Sequence, residues 1–157
     1  MRGKSHFKAR VINPDTKYSS ELLGRFINKV MMDGKKETAK RLVYLALDEV
    51  GKKSNQKPLE VFERAIDNAS PILEVRSRRI GGANYQVPRE VSPRRKLFLS
   101  MKWIIDAARN KKGANFDTLL SQEILDAYEN KGTAIKKREE LHKMAEANRA
   151  FAHFGRF

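Results

Sequence analysis

The sequence predicts a mainly α fold: a single domain of about six helices over residues 1–157, with a β-hairpin protruding between helices three and four. Three observations predict it. Apolar residues recur at three- and four-residue steps through most of the chain, which gathers them on one helical face. One interval breaks that rhythm with β-branched and aromatic residues around Gly81-Gly82. The 157 residues, 40% of them hydrophobic, suit one core, because single cores serve roughly 100 to 200 residues.

After a basic N-terminal extension over residues 1–17, Leu23, Phe26, Ile27, Val30 and Met31 define the first helix, with Ser19 and Ser20 as caps and Asp33-Gly34 ending it. The second runs from about 36 to 50 on Ala39, Leu42, Val43, Ala46, Leu47 and Val50, with Gly51 as its left-handed stop. Pro58 opens the third, whose face is Leu59, Phe62, Ala65, Ile66 and Ala69, and Pro71 blocks its extension.

The hairpin spans residues 72–91, turning at Gly81-Gly82. Period-two alternation puts Glu74, Arg76 and Arg78 on one face and Val75 on the other. Too little of it is apolar to pack on both sides, so it should project from the helical body. Ser92-Pro93 caps and starts the fourth helix, striped by Leu97, Met101, Ile104, Ile105 and Ala108, with Arg94, Arg95 and Lys102 mostly off the stripe. The fifth, acidic helix carries Phe116, Leu119, Leu120, Ile124, Leu125 and Tyr128. Thr133 caps a polar sixth reaching about Asn148, and an aromatic tail occupies 149–157.

The 33 Lys and Arg against 19 Asp and Glu give a net charge of +14, which calls for a polyanionic partner. The excess is segmented. Residues 1–41 carry a net +7, 42–74 a net −2, 75–113 a net +9, 114–130 a net −4 and 131–157 a net +4. Alternation of that kind fits a folded domain that turns some elements toward phosphate and others toward solvent.

Several chemistries are excluded or unsupported. With no cysteine there are no disulfides, thiolate metal sites or cysteine nucleophiles. No apolar run approaches the about 20 residues of a membrane span, and Met1, Arg2, Gly3 and Lys4 lack a signal-peptide core, so no membrane partner is expected. His6, His142 and His153 stand in no metal-pair spacing, and Walker A, strand-linked GxGxxG and HExxH patterns are missing, so neither cofactor nor metal is expected. Asp106 and Glu123 read as surface or capping carboxylates, and the chain as a non-enzyme.

The stretch Val75 to Pro88 is the most informative. Guanidinium groups bind phosphate bidentately and stack on bases, glycines allow close backbone approach, and Tyr85 offers a ring. A solvated charged hairpin is the plain alternative. Arg94, Arg95 and Lys96 lie in the first turn of helix four, where the helix dipole disfavours cations unless an anion is bound. Lys35 and Lys36 follow a turn, with Arg25, Lys29, Lys40 and Arg41 near in sequence. Lys136, Lys137 and Arg138, with the aromatic tail, combine charge and rings. Phe151 and Phe154 are expected to dock the tail, on the core or on a neighbouring protein.

Phe26-Ile27-Asn28-Lys29-Val30-Met31, Asp33-Gly34-Lys35-Lys36, Pro58-Leu59-Glu60-Val61-Phe62, all of Glu74 to Pro88, Lys136-Lys137-Arg138-Glu139 and Met144 to Phe154 together resemble the bacterial type of small-subunit ribosomal protein seven. The resemblance implies a helical domain with a protruding hairpin, and a structural part of the small subunit. Such a protein binds the 3′ major domain of the small-subunit rRNA, nucleates head assembly and lies near the tRNA exit site and messenger path. Carried over by position, it implies rRNA contacts at Lys35, Lys36, Arg76, Arg78, Arg79, Arg94, Arg95 and Lys136. It further implies exit-site tRNA and mRNA proximity at Gly81, Gly82 and Tyr85, and tail contacts at Arg149, Phe151 and Phe154. Implied partners include head and platform proteins nine and eleven, on a cytoplasmic ribosome or an organellar one of bacterial type. Two rival classes stand beside this reading: a DNA-architectural protein, and a nucleic-acid-processing enzyme, which needs a carboxylate cluster or poised histidine near the basic face.

Overall fold

A computed structural model describes residues 13–156, so most of the expected N-terminal extension, with His6, and the final Phe157 lie outside the described residues. Six α-helices, two strands and a closing 3-10 helix follow one another as α1 (Glu21–Val30), α2 (Lys36–Ser54), α3 (Pro58–Ala69), β1 (Leu73–Ile80), β2 (Ala83–Glu90), α4 (Pro93–Asn110), α5 (Phe116–Tyr128), α6 (Gly132–Ala147) and η1 (Arg149–Arg156).

Local signals start most elements where expected. The Ser20 hydroxyl accepts the Leu23 amide at the start of α1, satisfying one of the donors a helix leaves open. Proline opens α3 and α4. Two expectations are corrected. Gly51 does not stop α2, which continues to Ser54 and ends on Asn55 in the left-handed conformation. A Cβ at Gly51 would come within 2.8 Å of the Pro58 ring, so this glycine serves the close approach of α3 instead. Nor does Thr133 cap α6: it lies inside the helix, and the Ala134 amide donates to Glu123 Oε1 at 3.0 Å from α5.

The core joins α1–α6, with Phe26 and Phe62 in edge contact at 5.0 Å between centroids. Both rings are fully buried, each contributing roughly 1.5–3 kcal/mol of transfer free energy. Helix α5 is central, packed on α2, α3, α4 and α6. That position explains Glu123, which is fully buried and so not a surface carboxylate. Its Oε2 faces the Lys111 ammonium at 2.8 Å as an ion pair, though without hydrogen-bond alignment. Asn68 of α3 donates to the Ala127 and Tyr128 carbonyls, closing the C-terminus of α5.

The antiparallel hairpin pairs Leu73 with Glu90 through to Ile80 with Ala83. Gly81 and Gly82 have φ of 57° and 88°, the positive values a two-residue turn needs. The base packs on α6, and the Ile72 amide donates to His142 Nε2 at 3.0 Å.

Candidate nucleic-acid interface

Register fixes which hairpin side chains share a face. Glu74, Arg76 and Arg78 line one face with Val87 and Tyr85 across the ladder, as the alternation predicts, while Arg79 lies opposite Asn84 on the other. Arg79 is therefore split from the other two arginines. Glu74 is buried and accepts Arg76 Nε at 2.8 Å on one oxygen and Arg95 Nε at 3.2 Å on the other. One carboxylate thus holds two guanidiniums, joining the hairpin base to the first turn of α4 with positive charge to spare.

Toward the tip the hairpin carries the tail. The Tyr85 ring lies 5.3 Å from that of Phe151 and 5.2 Å from that of Phe154, and Arg78 Nη1 donates to the Phe154 carbonyl at 2.7 Å. Phe151 and Phe154 therefore dock on the hairpin, not on the helical core. The physical reason is supply: the Tyr85 ring on β2, the strand on which η1 packs, offers an aromatic surface to both phenylalanines. Arg149 pairs with Glu146 at 3.3 Å. On the other side of the ladder Arg79 and Asn84 stay exposed, and Arg79 walls a pocket at the tip with Arg78, Ile80 and Phe154.

Along α4 the cations continue. Arg95, Phe98, Lys102 and Arg109 follow steps of three, four and seven, which stacks them on one helical face. Phe98 is 42% exposed, with the Lys29 ammonium 3.5 Å and the Arg95 guanidinium 5.5 Å from its ring centre, within cation–π range. Arg109 donates to the Val30 carbonyl at 2.9 Å, occupying an acceptor left open at the end of α1. Asn28, Lys29, Phe98, Lys102, Asp106 and Arg109 wall one pocket, and Arg109 also borders the next, which Lys35 lines. A basic band thus runs from the hairpin base to the α1–α2 turn. Sequence reading set aside Lys29 and Lys102 as neighbours in sequence or off-stripe, and missed Phe98 and Arg109; the three- and four-residue spacing along α4 was the available signal.

Two helices begin with cations at this band. Lys35 is the N-cap of α2 and Lys36 its first residue, and Arg94 and Arg95 lie in the first turn of α4. Both placements oppose the helix dipole, and an external anion relieves that. Lys35, Lys36, Arg79 and Arg94 are exposed, and among the described residues none forms an ion pair. Lys17, Lys53, Lys57, Lys111 and Lys131, away from the band, each pair with a carboxylate within 3.2 Å, while Lys52, Arg64, Lys112 and Lys143 are exposed and outside the described ion pairs as Lys35, Lys36, Arg79 and Arg94 are. Lys136 is exposed on α6, and no described hydrogen bond or ion pair links it to the band. Its neighbour Arg138 is used internally, donating to the Asn68 carbonyl.

Among the described residues no group of three or more histidine, aspartate or glutamate side chains could hold a metal ion, and no helix is long and apolar enough to cross a membrane.

A family model described as ribosomal protein S7p/S5e matches residues 2–149. The chain is 57% identical over 154 residues to the small ribosomal subunit protein uS7 of Thermomicrobium roseum, covering 98% of this chain and 99% of that protein. It is 55% identical over 145 residues to the uS7 proteins of Pseudoalteromonas translucida and Fervidobacterium nodosum, covering 92% of this chain and 93% and 94% of theirs.

Proposed function

The chain belongs to the ribosomal protein S7p/S5e family, and from that premise we propose that it is a non-enzymatic, RNA-binding constituent of the small ribosomal subunit. All of its described parts act as one rRNA-binding unit on the 3′ major domain, where it nucleates assembly of the subunit head. The basic band from Arg76 and Arg95 to Lys35 and Lys36 neutralises phosphates where rRNA helices converge, with Arg78, Arg79, Arg94 and Lys136 adding contacts around it. Recognition is of RNA shape, because phosphate contacts fix position and carry no base sequence. The hairpin tip at Gly81 and Gly82, with Tyr85 held under the tail, lies near exit-site tRNA and the messenger. Arg149, Phe151 and Phe154 form the side that meets neighbouring proteins of head and platform, proteins nine and eleven. The ribosome is that of the cytoplasm, or an organellar one of bacterial type.

The single observation that supports this reading most is the cluster of cations at two helix starts: Lys35, Lys36 and Arg94 are exposed and outside the described ion pairs, beside a Glu74 carboxylate shared by Arg76 and Arg95. An unpaired cation held on a rigid scaffold is ready for phosphate without first breaking an ion pair. The test is competition at equal salt between a transcript of the 3′ major domain and duplex DNA of the same length. The transcript should win by at least about tenfold; equal binding or preference for duplex points to a DNA-architectural protein instead.

A further inference from the structure

The pocket between α1 and α4 holds more than charge. Its walls bring Lys29, Lys102, Arg109 and Asn28 around one opening beside the exposed ring of Phe98, with Asp106 as the one acidic wall residue. Burial, and then the neighbouring Lys102, hold the Lys29 ammonium below the usual lysine range. Neither Lys29 nor Lys102 lies within ion-pair distance of a carboxylate among the described residues, and Asp106 eases Lys29 only through space. Arg109 spends one nitrogen on the Val30 carbonyl and keeps further N–H groups of its guanidinium. Such a pocket has more donors than acceptors, its acceptors being the Asp106 carboxylate and the Asn28 amide oxygen. Phe98 adds a large apolar ring, 42% exposed, that no core residue needs.

We propose that this pocket is a subsite for a single unpaired nucleotide of the bound RNA, with its phosphate among Lys29, Lys102 and Arg109 and its base against Phe98. The inference rests on the RNA-binding reading above and adds a chemical class to one place in it. A phosphate group supplies acceptors for the donors that exceed those of Asp106 and Asn28, and it moves the Lys29 ammonium off the Phe98 ring toward its own oxygens. The ring is then open to a base, whose flat face any aromatic side chain accepts. An acidic protein segment would satisfy the lysines and leave Phe98 bare. Duplex RNA would reach the lysines with its phosphates, and its paired, stacked bases would leave the ring empty too.

The two halves have separate readouts. Affinity of the full chain for the 3′ major domain transcript is measured across a salt series for the unaltered protein, Lys102→Gln, Lys29→Gln, Phe98→Leu and Lys53→Gln, the last altering a lysine paired with Glu49 outside the band. Folding of each is checked by urea unfolding. The lysine variants at the pocket should lower the slope of log affinity against log salt by about one each, the signature of one lost phosphate contact. Phe98→Leu should cost about tenfold in affinity with the slope kept, and Lys53→Gln should match the unaltered chain. A folded Lys102→Gln with an unchanged slope, or a folded Phe98→Leu with unchanged affinity, overturns the subsite and leaves the RNA-binding reading intact. Absence of transcript binding by the unaltered chain removes that reading, and the subsite with it.

Discussion

Lys111 and Lys29 are both partly buried lysines near a helix end, and their surroundings move them in opposite directions. At the α4–α5–α6 junction, burial alone would lower the Lys111 ammonium, but the Glu123 carboxylate at 2.8 Å and Asp126 at 3.2 Å overcome it and lift Lys111 above the usual lysine range. Between α1 and α4, burial lowers Lys29 and the nearby Lys102 lowers it further. The first region closes its charges because the fold needs them: the same Glu123 also starts α6. The second leaves its charges open, at a cost to the free protein that a bound polyanion removes. The difference teaches where stability and function part company in this molecule.

The strongest way to break that contrast is at Glu123. Glu123→Ala strips the cap from α6 and leaves Lys111 without its buried partner, and should cost roughly 3–5 kcal/mol in urea unfolding. Replacing both partners, Lys111→Met with Glu123→Leu, should recover part of the loss, since the charge then left without a partner is the solvent-accessible Asp126 and not a buried one. A loss below about 1 kcal/mol for Glu123→Ala would mean that the junction's charges do not hold the fold together. The same operation in the open region has the opposite sign. Lys102→Gln removes an exposed like-charge neighbour of Lys29 and should raise stability slightly, by roughly 0.3 kcal/mol, while weakening RNA binding. Clear destabilisation by Lys102→Gln would erase the distinction between the two regions.

A third site sharpens the comparison from between. His142 accepts the Ile72 amide through a bare Nε2 at the foot of the hairpin, and burial, then Arg138, lower its pKa below 6.5. Glu139, Lys143 and Glu146 stand around the same pocket. The unfolded chain takes up this proton more readily than the folded one. The contribution is therefore complete above about pH 6.5 and is lost as pH falls through the lowered folded value. Unfolding measured from pH 7 to pH 5 should show that decline in the unaltered chain and a smaller one in His142→Gln. Identical profiles would remove the histidine from the account.

Local signals made the elements legible: the Ser20 cap, the prolines opening α3 and α4, the two-glycine turn and the alternation that sets Arg76 and Arg78 on one face. The errors share a non-local cause. Gly51 looked like a stop because a glycine after an apolar stripe usually is one, and only the packing of Pro58 against it shows otherwise. Glu123 read as a surface or capping carboxylate, and it does cap α6, but its burial was not legible because its partners come from positions 111 and 134. Thr133 was displaced by that same carboxylate. Docking of Phe151 and Phe154 on Tyr85 joins segments far apart in the chain, as does the meeting of Lys29 with Phe98. Spacing within α4 was visible in the sequence, yet what made it a site was the helix laid beside it.

The central claim is that the exposed cations of the basic band are the RNA-binding ones. Its most direct measurement is the salt dependence of transcript binding after Lys35, Lys36, Arg79 and Arg94 are all changed to Glu. All four are exposed and outside the described ion pairs, and three of the new carboxylates face helix N-termini, so the folded state should be as stable in urea as the unaltered chain or slightly more so. The account predicts that binding is largely lost at moderate salt and that the slope of log affinity against log salt falls by about 3.6, near 0.9 for each of four lost phosphate contacts. A folded quadruple variant that binds the transcript with the affinity and slope of the unaltered chain would contradict it.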